Sequence, residues 1–163
     1  MKAVLLLLTL ACSLGFAQSA DAPKEMALRY YKLDFVVKDI DEGKVITARN
    51  YSIIVRNDNR NGDDQIRAGS KIPIGGDPPQ YVDIGTNIDV GHVIDSSGEL
   101  SFHLSAEVSN VLSDGSSPRP IIRQNRWSSY VTVPIKKPTI VFSSDDNTTK
   151  HIMQLEVTAT PRT

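Results

Sequence analysis

Cysteine is almost missing from this chain: Cys12 is the only one among 163 residues. Neither a disulfide framework nor a cysteine-built zinc site can then be assembled within one molecule. An excess of either charge is missing as well. Eighteen lysines and arginines face 19 aspartates and glutamates, giving a formal net charge of -1 and a pI near 6.3. Proteins that bind nucleic acid normally carry a large basic surplus, so nucleic acid is not an expected partner. Helical periodicity is absent too, because after residue 17 no ten-residue segment repeats its apolar positions every 3.6 residues. What remains, 40% hydrophobic and 23% charged, is the composition of an ordinary globular domain and excludes full-length disorder.

The one long apolar run opens the chain. Lys2 precedes Ala3 to Leu10, the run continues through Phe16, and Gly15-Phe16-Ala17 places small residues where signal peptidase cuts. This three-part pattern reads as a secretory signal peptide over residues 1–17, too short for a membrane span. Ala20 offers a second cleavage point. Leu10-Ala11-Cys12 resembles a lipoprotein signal, although Thr9 stands where the lipobox has leucine. Cleavage after Ala17 removes Lys2 and Cys12 and shifts the formal net charge from -1 to -2. Residues 18–27, small and polar with Pro23, read as a flexible lead-in to a single domain over 28–163.

From Leu28 onward the apolar period is two, the signature of strands with one buried face. Tyr31, Leu33, Phe35 and Val37 alternate with polar neighbours. A turn at Asp41-Glu42-Gly43-Lys44 leads to a partner strand from Val45 to about Arg56. Ile66 to Ile74, Tyr81 to Ile94, Glu99 to Val108, Ile121 to Val133, Thr139 to Ser143 and His151 to Thr160 supply the rest. Leu100, Phe102, Leu104, Ala106 and Val108 alternate most cleanly. The expected fold is all-β: an antiparallel sandwich or partial barrel of seven to eight strands. Glu99 to Ser109 is long enough to cross a membrane, but Phe102 is its only aromatic, where a spanning strand needs aromatic girdles.

Reactive groups are dispersed. Asn57-Asp58-Asn59-Arg60-Asn61-Gly62 alternates oxygen side chains as calcium loops do, yet Asn57 and Ala68 stand where such a loop needs carboxylates, so a turn is expected. His92, His103 and His151 lie on three separate strands with no metal-ligand spacing. Asp145-Asp146 beside Asn147 reads as a solvated loop. Arg119, Arg123, Arg126, Lys136 and Lys137, interleaved with Trp127 and Tyr130, read as a charged outward strand face. No catalytic residue, metal ligand or cofactor site is expected.

The order of several short motifs is similar to the β-domain of bacterial secretins, the outer-membrane gates of type II and type III secretion and of type IV pilus systems. Ile66, Gly69, Ile72 and Pro73 match an A-x-I-x-x-G-x-x-I-P segment; Tyr81, Asp83, Ile84 and Gly85 match an aspartate-(Val/Ile)-Gly strand. Gly98 and Leu100 then match a glycine turn, Glu107-Val108-Ser109 a Glu-Val-Ser end, and Pro120 the start of the next hairpin strand. The double-glycine strand that closes the secretin domain has no counterpart in Pro138 to Asp145. The resemblance implies a short stand-alone relative: an exported, non-enzymatic protein of the periplasm or outer membrane, associated with a secretion or pilus complex. Self-association or a protein partner would then engage through strand edges. The alternative is a secreted sandwich that binds carbohydrate or a surface partner, with Tyr30, Tyr51, Tyr81, Trp127 and Tyr130 as its candidate aromatics.

Overall fold

A computed structural model describes residues 28–58, 62–75, 78–112, 121–145 and 151–162. The expected signal peptide, the lead-in, Cys12 and Pro120 lie outside the described residues. Eight strands follow in chain order: β1 (Tyr30–Asp41), β2 (Lys44–Arg56), β3 (Asp64–Ile74), β4 (Gln80–Ser96), β5 (Glu99–Leu112), β6 (Ile121–Pro134), β7 (Thr139–Asp145) and β8 (His151–Arg162). Several run further than periodicity alone suggests. β4 extends through the turn-like residues Asp95 and Ser96, and β5 passes Val108 to reach Leu112, because cross-strand pairing continues where alternation stops.

The strands form two antiparallel four-stranded sheets, ordered β2-β1-β8-β7 and β3-β4-β5-β6. The hairpins are written in local chemistry. Glu42-Gly43 and Ser97-Gly98 each place two consecutive residues at positive φ (48° and 79°; 51° and 87°), the two-residue geometry whose twist suits antiparallel strands. The second sheet is a meander; the first is closed by β8, which pairs with β1 from Tyr30↔Arg162 to Asp41↔His151.

The inner faces interdigitate into one core. Leu33, Phe35 and Val37 of β1 and Leu155, Val157 and Ala159 of β8 lie under Ile88, Val90, Leu100, Phe102 and Leu104 of the facing sheet, all buried. The cleanest sequence alternation, Leu100 to Val108, is the centre of that layer. Burying each large aliphatic or aromatic side chain contributes roughly 1.5–3 kcal/mol. The described chain is thus a sandwich rather than a partial barrel, with β2, β7, β3 and β6 as edge strands.

Candidate interaction site

The second sheet divides part-way along its length. β4 pairs with β5 from Ser96↔Glu99 down to Thr86↔Val108 and no further, while β3–β4 pairing continues to Ile74↔Gln80 and β5–β6 pairing to Leu112↔Ile121. Beyond Thr86 the sheet is two separate ribbons. At the root of this fork the Ser109 hydroxyl replaces the missing ladder: it accepts from the Gly85 N–H at 3.0 Å and donates to the Gly85 carbonyl at 3.5 Å. Ser109 is buried, as is the neighbouring Thr86, whose hydroxyl bonds the Tyr51 hydroxyl of the other sheet at 3.0 Å.

Glycine is required at this point. Gly69 and Gly85 face one another across β3 and β4, and Gly85 has a φ of 144°. A Cβ on Gly69 would overlap the Ile84 carbonyl, and one on Gly85 would overlap the Ala68 carbonyl. Without side chains there, an open groove of about 460 Å³ crosses the outer face. Arg67 and Asn87 bound it on one side; Lys71 and Asp83, paired at 3.6 Å, bound it on the other. On the same face Arg126 engages Glu107 through two guanidinium nitrogens. That contact, with Gln124 and Arg67 adding to it, holds the Glu107 carboxyl below the usual carboxylate range against the opposing effect of burial.

The opposite end of the sandwich is fastened shut. Asp95 of β4 accepts from the Tyr31 hydroxyl at 2.5 Å, the Asn57 amide at 3.0 Å and the Arg29 guanidinium at 3.2 Å. Asn57, buried just after β2, exchanges bonds with the Arg29 backbone, accepting its N–H at 2.7 Å and donating its own N–H at 3.1 Å. Asn57 therefore works as a tie between chain segments, with Asp58 paired to Arg56. Hydrogen bonds from Tyr31 foremost, then Asn57 and Arg29, hold the Asp95 carboxyl below its ordinary value. Burial and Asp95 in turn push the Tyr31 hydroxyl up. The β6–β7 connection adds two stitches, Ile135 N–H to the Gly98 carbonyl at 3.0 Å and Lys136 N–H to the Ala159 carbonyl at 2.7 Å.

The motif residues of the secretin resemblance fall into three places. Gly69, Gly85 and Ser109 meet at the fork; Ile72, Pro73, Tyr81, Asp83 and Ile84 lie on the β3–β4 ribbon beyond it. Ile66, Leu100 and Val108 belong to the core layer, Glu107 to the outer face, and Gly98 to the closed end. The candidate aromatics do not line one surface. Trp127 turns inward onto Phe142 (centroids 5.4 Å apart) and Tyr51 reaches Thr86, while Tyr30, Tyr81 and Tyr130 are exposed on separate strands. His92 of β4 and His103 of β5 both approach the Tyr130 ring of β6, at centroid distances of 6.4 and 5.1 Å. The cause is a bulge: the β4–β5 register jumps between Gly91 and Ile94, and His92 takes a φ of 52°. Among the described residues no three His, Cys, Asp or Glu side chains gather as metal ligands would. Asp95 and Thr86 belonged to no candidate site, and Asn57 entered only as the first position of a calcium-type loop; its bonds to Arg29 and Asp95 join residues 28 and 38 positions apart, beyond the reach of a local motif.

No protein-family profile matches the sequence, and no curated protein is similar to it at a significant level. Solved structures do share its architecture. The Klebsiella pneumoniae type II secretion outer-membrane complex of PulD, PulS and the PulC HR domain superposes with a TM-score of 0.53 at 9% identity, over 83% of this chain and 39% of that one. The type II secretin GspD of enteropathogenic Escherichia coli gives 0.47 at 9% identity, over 83% of this chain and 66% of that one. The secretin-domain β-barrel of InvG from the Salmonella injectisome gives 0.46 at 10%, over 83% and 62%. The chain thus spans between 39% and 66% of the length of these proteins. In fold, though not in detectable sequence, the chain is similar to a secretin-containing outer-membrane complex.

Proposed function

We propose that this chain is an exported, non-enzymatic assembly module that works by strand-edge association within an outer-membrane secretion or pilus complex. The observation that carries the reading is the pair of four-stranded sheets whose outer strands β2, β7, β3 and β6 meet no further strand among the described residues. Uncovered edges are templates for pairing with another chain. β2 supports this most strongly, with Val45, Ile46 and Ile54 each about half exposed along an edge (54, 55 and 49%). Ile140 of β7 and Ile121 of β6 add exposed apolar groups to two further edges. β3 is the guarded edge, carrying Pro73.

The secretin-like fold supports the choice of partner: further copies of the chain, a secretin, or a companion of one. The signal-peptide pattern of residues 1–17 supports delivery to the periplasm or outer membrane. The test is membrane fractionation and electron microscopy of the full chain, expressed with its own leader in a Gram-negative host. Assemblies of high mass, lost in an Ile46→Lys/Ile54→Lys double variant that still folds, are the expected result. A monomer that stays soluble without detergent overturns the reading.

A further inference from the structure

Among the described residues the fork leaves backbone hydrogen-bonding groups with no strand to pair with, and their positions follow from alternation along the strand. The Gly85 N–H points toward β5, since it meets Ser109 there. The β3–β4 register runs unshifted from Gly69↔Gly85 through Lys71↔Asp83 to Pro73↔Tyr81, so Asp83 and Tyr81 aim their N–H and C=O the same way. Pro73 agrees with this phase: having no N–H, it sits opposite Tyr81 at a pair whose backbone groups face away from each other. By the same alternation Val111 of β5 aims at the fork from the other side. Neither edge finds a strand among the described residues. Beside Ser109, the side-chain oxygen of Asn110 is buried with no hydrogen-bond partner. Val82 and Ile84 add half-buried apolar side chains to one face of the ribbon.

Alternating donors and acceptors at strand spacing, an apolar flank and an orphaned carbonyl are complementary to one kind of ligand, the backbone of an extended polypeptide. We propose that the fork is a strand-capture site for a short extended segment of another protein, with β-branched apolar residues at alternate positions facing Val82 and Ile84. Its N–H and C=O groups pair with Tyr81 and Asp83, and a donor from it satisfies Asn110. The ribbon then gains a third strand, which a two-stranded hairpin needs for stability in water. The site is internal to one molecule and independent of the outer edges, so it stands or falls apart from the self-association proposed above.

Amide hydrogen exchange read residue by residue by NMR, at two protein concentrations, tests this on the full chain. In the free protein the Tyr81, Asp83 and Val111 amides should exchange fast at both concentrations while Asn87 and Ile84 are protected. Protection independent of concentration means that the protein's own chain fills the fork, and protection that rises with concentration means that a second copy does; either overturns the proposal. The probe is a synthetic octapeptide, Lys-Val-Thr-Val-Thr-Val-Thr-Lys, beside the same peptide N-methylated at alternate residues. Expected are slowed exchange at Tyr81 and Asp83, at least tenfold weaker binding of the methylated peptide, and weaker binding by a folded Asn110→Leu variant. Equal binding of both peptides, or no binding of either, overturns the proposal.

Discussion

At Asp95 a single carboxylate receives hydrogen bonds from a tyrosine, an asparagine and an arginine, and so ties β4 to β1 and to the segment after β2. Asp95→Ala leaves the buried Asn57 amide and the Tyr31 hydroxyl without their acceptor, and should cost about 1–3 kcal/mol in urea unfolding. Because the folded carboxyl titrates below its unfolded value of about 3.9, its contribution is fully present above that pH. It is lost as the pH falls through the folded value. Glu107, held low chiefly by Arg126, acts in the same direction. Acid unfolding should therefore begin below about pH 4, and Asp95→Asn should flatten that limb of the stability curve while leaving its slope near pH 7 unchanged. At a φ of 52° glycine is unstrained, so His92→Gly should not destabilise thermal unfolding, whereas the β-branched His92→Val should.

Among the elements, β4 and β5 hold the information that defines the fork. Gly85→Ala combines a positive φ with a carbonyl overlap and should cost more than about 1 kcal/mol. Ser109→Ala should unprotect the Gly85 amide in hydrogen exchange and cost about 1–3 kcal/mol. Asn110→Leu should be neutral or stabilising, since it removes an acceptor that has no partner. The strand from Leu100 to Val108 is legible because each alternate side chain reaches the core, and all five are buried. Ser109 breaks the rule, being polar, out of phase and still buried. Its role depends on a glycine 24 residues earlier, which no local period can encode. The turns at Gly43 and Gly98 were legible for the opposite reason, since their chemistry is complete within four residues.

In the whole molecule, topology is the part that periodicity leaves unspecified. Alternation says that a strand has an inner face but not which strand lies beside it, and the β1–β8 pairing joins residues more than 100 positions apart. Such long-range pairings make folding slow, in the range of about milliseconds to seconds for all-β domains. Stopped-flow refolding followed through Trp127 should fall there. Phe102→Ala, which empties the centre of the shared layer, should cost about 3–5 kcal/mol and lower the urea midpoint without changing the slope much.

The seat of β8 between β1 and β7 has an outcome for biosynthesis. A ribosome delivers that element after the seven others, so until it emerges β1 has one neighbour and β7 has none. The second layer, residues 64–134, can pair as soon as it is made, but the first cannot close over it until residues 151–162 have followed.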